Sequence, residues 1–310
     1  MKKYFYYLGF VITSISLAFF LFKVYGNIPQ ISSLALGPGK FSLFVALLLA
    51  YLMGIYSGGY AWYRLLRAQG EACSLSQVQG IFFISQPAKY LPGNVGHYLS
   101  RLALARSHGF DGIKVLHSMG LETAILLLAG ITCSLFSVFF LGWDFLASGV
   151  REHLPEFAVS PIFRVLIVMF SIGGITLMLG WREKELRRRG VAASGVCLLL
   201  YLGNFLLMGG MVYLLALWIF DAPGGLLWLT VGVSALAWTA GFVVPGAPAG
   251  LGIREVILVA GLGPLYGETN AVGISLALRF LTLFGDGLGF VVGLMLQRKI
   301  RAMAKYFQGP

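Results

Sequence analysis

Six runs of about 20 apolar residues, near positions 4–22, 41–63, 115–141, 162–181, 194–220 and 270–296, dominate the sequence. Wound as a helix, a run of that length matches the ~30 Å hydrocarbon core of a bilayer. Backbone in lipid must satisfy its own hydrogen bonds, which leaves helices as the spanning form for runs of this kind. The chain is therefore read as all-α, a polytopic membrane helix bundle forming a single integral membrane domain over 1–310, because no long polar linker divides it. Charged residues make up 11% of the chain, well under the ~25% of soluble domains. The opening "KKYFYYLGFVITSISLAFFLF" has a basic start, but its apolar run is long and no A-x-A-like site follows, so it reads as a retained first span.

Two segments break this pattern. At 85–101 the sequence is "SQPAKYLPGNVGHYLSR", and at 242–258 it is "FVVPGAPAGLGIREVIL". Each places Pro-Gly within apolar surroundings and follows it with an arginine. Charge bias gives the orientation. With both termini on the cytoplasmic side, Arg64, Arg67, Arg101, Arg106, Lys114, "REKELRRR" at 182–189 and the basic tail all fall inside. Lys23, Lys40, Arg151 and Arg164 fall outside, beside Asp144, Glu152, Glu156 and Asp221.

That asymmetry requires each Pro-Gly segment to enter and leave by one side. The expected architecture is thus about six full spans plus two re-entrant hairpins, one from each face, in an inverted repeat over about 41–141 and 194–296. The alternative is eight conventional spans with Pro-Gly in interfacial turns.

Several charges lie too deep for a loop. Lys89 precedes the first break, Glu122 lies about two turns into its span, and Arg279 and Asp286 stand seven apart in the last span. Such charges cost a few kcal/mol each unless paired or hydrated, so they mark an interior cavity or structural ion pairs. The pairing expected is Lys89 or Arg279 with Glu122 or Asp286. The breaks expose backbone, since proline cannot donate and glycine admits positive φ. In the second, a new helix N-terminus together with Arg254 is expected to hold an anion, phosphate above all. Gly285, Gly289 and Gly293 repeat every four residues on the last span, a spacing that lets helices approach closely in lipid.

Other chemistry finds no support in the pattern. Cys73, Cys133 and Cys197 have no metal or redox spacing and read as small packing residues. The four histidines are scattered. There is no HExxH, P-loop or GxSxG, so neither a cofactor nor a metal is expected, and the chain is not read as an enzyme.

The pairing of "KYLPG" at 89–93 with Arg101, an intramembrane Glu122 and "PGAPAGLGIRE" at 245–255 resembles the lysylphosphatidylglycerol synthase transmembrane region, a flippase-like family also called UPF0104. Lys89, Tyr90, Pro92, Gly93 and Arg101 match its first motif. Pro245, Pro248, Gly250, Gly252, Arg254 and Glu255 match its second. Asn94 and Val95 stand where members often carry glycine and an aromatic, and Ala249 replaces a frequent glycine.

The resemblance implies a bacterial or archaeal inner-membrane protein that handles anionic phospholipid or polyprenyl-phosphate lipid. The family's soluble aminoacyl-transferase domain is missing, so lysyl transfer is not expected. The function expected is lipid translocation, with Lys89, Arg101, Arg254 and Arg279 drawing in phosphate while Glu122, Glu255 and Asp286 set local charge. The alternatives are an accessory subunit that presents lipid-linked sugar to a separate glycosyltransferase, and a membrane-embedded transferase. Nucleic acid is not expected as a partner, because the positive-inside rule explains most of the net charge of +11.

Overall fold

The computed structural model describes residues 25, 38–91, 95–137, 184–222, 224–244 and 247–308, with 38, 184–189, 299 and 301–308 described for the backbone only. The expected spans at 4–22 and 162–181, and the break residues Pro92, Gly93 and Pro245, lie outside them.

The described residues form eight α-helices and no strands. They are α1 (Pro38–Ala68), α2 (Leu75–Ser85), α3 (Gly96–Ser107), α4 (Gly112–Phe136), α5 (Lys184–Leu214), α6 (Leu227–Val243), α7 (Ile253–Tyr266) and α8 (Glu268–Gln308). The four spans predicted within the described residues appear as α1, α4, α5 and α8. Short 3-10 turns over Gln86–Tyr90 and Pro248–Gly250 mark the two breaks.

Local chemistry sets the helix starts. Ser74 and Gln77 form a capping box at α2. The Asp111 carboxylate accepts from the Ile113 amide at 2.8 Å to start α4. At α7 the Glu255 carboxylate accepts from the Gly252 amide at 2.7 Å.

At 1.5 Å per residue, α2 and α3 measure about 17 and 18 Å, and α6 and α7 about 26 and 21 Å. Each helix is shorter than the ~30 Å core. Among the described residues five stretches are long and apolar enough to cross a membrane, and Pro248–Tyr266 is one of them. The sequence reading gave that stretch only a short helix from about Arg254. The difference is the 3-10 turn, which lengthens the stretch although the backbone is kinked at Ala249 (φ 51°).

Packing follows a two-fold scheme. Helix α1 runs antiparallel to α5: Lys40 meets Asp221 at one end, while Gly54 and Gly58 face Asn204 and Tyr201 further along. Helix α2 of the first half packs on α8 of the second, and α6 of the second packs on α4 of the first. The two 3-10 turns, which adjoin the breaks in sequence, touch each other. Gly285 lies against Tyr51, Gly289 against Phe83, and Gly293 against Phe83 and Ile84. The glycine face of α8 is therefore the seat of α1 and α2, as its spacing predicts. Cys73, Cys133 and Cys197 are buried and free.

At the end of α1 opposite Lys40, Lys114 reaches the Gly70 carbonyl at 3.1 Å and Glu71 at 3.6 Å. These groupings keep Lys40 and Asp221 at one end and Lys114 at the other, as the charge bias requires.

Candidate functional site

A cavity of about 210 Å³ opens beside the two 3-10 turns. Lys89 and Tyr90 of the first 3-10 turn, Arg101 of α3, Glu122 of α4, Arg254 of α7 and Arg279 of α8 all line it. Ala249 lines it from the second turn. The cations expected from sequence thus converge from four elements on one space.

Asp286, 2% exposed, sits behind the first break and accepts three hydrogen bonds. Lys89 Nζ donates at 2.9 Å, Tyr51 Oη at 2.9 Å and Tyr90 Oη at 2.6 Å. A buried carboxylate is stable when its lone pairs are filled in this way. The expected pairing of Lys89 with Asp286 is present.

Glu122 is equally enclosed. It accepts from Arg101 Nη1 at 2.5 Å and from Tyr201 Oη at 2.6 Å. The Arg101 guanidinium carbon lies 4.3 Å from the Phe82 ring centroid and 4.8 Å from that of Trp62, a cation–π distance to both rings.

Arg279 departs from expectation. It pairs with Glu255 of α7 at 3.5 Å and not with Glu122 or Asp286. Seven residues along a helix is about 10.5 Å, so Arg279 and Asp286 share a face yet meet different neighbours. The pairs Arg101–Glu122 and Glu255–Arg279 are counterparts: each ties the second limb of a broken segment to the next span, with the signs reversed.

Arg254 is held differently. It lies 5.1 Å over the Trp238 ring, which stacks on Phe242. Its stem passes between Gly241 and Gly250, where a Cβ added at Gly241 would come 2.5 Å from Arg254 Cγ. Gly250 also needs its positive φ of 70°. Among the described residues Arg254 forms no ion pair. Arg254 Nε, Arg101 Nε, Arg279 Nη2 and His97 Nδ1 are buried with no hydrogen-bond partner among those residues.

At the N-terminus of α7 the amide of Gly252 is taken by Glu255. Pro248 forms the turn that precedes it.

Sequence reasoning missed His97, Tyr51, Tyr98, Tyr201 and Trp238, all of which line the cavity. His97 stands only four residues before Arg101, one helical turn, and that spacing was the available signal. The aromatics carry no such mark in an apolar span. No cluster of three or more metal-ligating side chains occurs among the described residues.

An α-helical bundle with several long apolar helices, here with a charged cavity between two 3-10 turns, is that of a multi-pass membrane protein. The family model for the lysylphosphatidylglycerol synthase TM region matches residues 6–288, and the chain belongs to that family. It is a membrane protein of a lipid-related family. No curated protein matches it in sequence.

Proposed function

We propose that the protein moves an anionic phospholipid or a polyprenyl-phosphate-linked lipid between the leaflets of the inner membrane. The headgroup enters the cavity while its chains stay among the helices. The observation that carries this reading is Arg254, a half-buried cation with its Nε enclosed and no carboxylate partner among the described residues, in a cavity lined by further cations. A buried charge without a counter-charge is costly, and a lipid phosphate supplies that counter-charge. The apolar remainder of the lining, including Leu126, Leu207, Met208 and Met211, suits acyl or prenyl carbon.

The test is transport in liposomes that contain purified protein and a labelled anionic lipid. Inter-leaflet movement without a partner protein is expected, and Arg254→Gln should abolish it while leaving insertion intact. Arg254→Lys should be intermediate, since it keeps charge but loses the planar fork. Normal transport by Arg254→Gln would sink the reading. Conversion of the lipid to a new species would point to a membrane-embedded transferase instead. Movement that depends on an added glycosyltransferase would favour the accessory-subunit reading.

A further inference from the structure

The charges around the cavity sort almost completely into pairs. Lys89 is matched by Asp286, Arg101 by Glu122 and Arg279 by Glu255, each pair within 3.5 Å. Arg254 is left over, so the described charges of the site sum to a single positive unit.

We infer that the site is matched to a headgroup carrying one negative charge, a phosphodiester, and discriminates against a phosphomonoester or diphosphate. This rests on the lipid-translocation reading and narrows it. Burial makes the count matter. Arg101 is 3% exposed, Glu122 4% and Asp286 2%, and Arg254 is half-buried, so water only partly screens a mismatch. A phosphodiester neutralises Arg254 and leaves the site without net charge. A phosphomonoester carries about −1.5 to −2 at neutral pH, which would leave buried negative charge beside Glu122 and Glu255.

The unfilled nitrogens agree in number with a single diester. Arg254, Arg279, Arg101 and His97 line the cavity, and each keeps one buried side-chain nitrogen without a partner among the described residues. A diester has two non-bridging oxygens, which between them accept about four hydrogen bonds. Trp238, with its ring centroid 5.1 Å from the Arg254 guanidinium carbon, restrains that cation.

The experiment is competitive binding by native mass spectrometry. Protein is released from nanodiscs containing equal amounts of phosphatidylglycerol, phosphatidic acid and phosphatidylcholine with identical chains. The expected order puts phosphatidylglycerol at least tenfold above phosphatidylcholine and severalfold above phosphatidic acid. Glu255→Gln raises the site by one positive charge and should move phosphatidic acid to first place. Arg254→Gln removes the surplus cation and should bring phosphatidylglycerol down to the level of phosphatidylcholine.

Wild-type binding that rises with headgroup charge, with phosphatidic acid tightest, would overturn the single-charge inference and leave the anionic-lipid reading standing. No preference for either anion over phosphatidylcholine would overturn both. The wild-type order decides the matter even if a variant fails to fold.

Discussion

Neutralising Glu122 probes the most enclosed ion pair among the described residues. The side chains of Arg101 and Glu122 are 4% and 6% exposed and meet at 2.5 Å, so Glu122→Gln leaves a guanidinium in a site with almost no water. Breaking one side of such a pair costs about 3–5 kcal/mol. The lower end applies here, because the Gln carbonyl can still accept from Tyr201 and the aromatic faces of Trp62 and Phe82 remain. Arg101→Gln strands the carboxylate with Tyr201 alone and should cost roughly 4 kcal/mol. The double variant removes both charges, and its loss should fall short of the sum of the single losses by about 2 kcal/mol or more. Reversible unfolding in mixed detergent, followed by tryptophan fluorescence, measures all three. Losses that add to within about 0.5 kcal/mol would show that the two groups are separately hydrated, and the enclosed pair would be wrong.

Other tests address the second break and the orientation. Ala249 adopts φ 51°, a left-handed conformation that costs a non-glycine residue about 1–2 kcal/mol, so Ala249→Gly should raise unfolding free energy by roughly 1 kcal/mol. Gly241→Ala drives a methyl against Arg254 Cγ and should weaken anionic-lipid binding as Arg254→Gln does, with the Trp238 fluorescence shifting as the cation leaves its face. Cysteines at exposed Ser107 and Asp221 should label from opposite sides with an impermeant thiol reagent, Ser107 from the cytoplasm, because the native cysteines are buried. Labelling of both from one side would reject the orientation drawn from charge bias.

Much of this architecture is written in residue spacing. Runs of 20 apolar residues announce α1, α4, α5 and α8, and the four-residue glycine interval on α8 announces a close neighbour. Lys89 and Asp286 are conspicuous because a lone charge inside an apolar run has to be satisfied somewhere. What spacing does not carry is which helix comes alongside which. The partner of Arg279 depends on α7 lying against α8, a contact made by the whole bundle, so sequence left Glu122 and Asp286 as its partners where the fold supplies Glu255. Tyr51 and Tyr201 are equally silent in sequence. Each is one aromatic among many until the fold turns its hydroxyl onto a buried carboxylate.

The sorting of ion pairs between and within the two halves has a mechanical consequence. Arg101–Glu122 and Glu255–Arg279 each lie inside one half, so they act as internal rivets that survive if the halves rock against each other. Lys89–Asp286, Tyr201–Glu122 and Lys40–Asp221 cross the seam. Any rocking that widens the cavity toward the first break must therefore unfasten Lys89 from Asp286. The freed ammonium and carboxylate then need water or a ligand at once, which makes that latch costly to release in a dry cavity and easier to release in a wetted or occupied one.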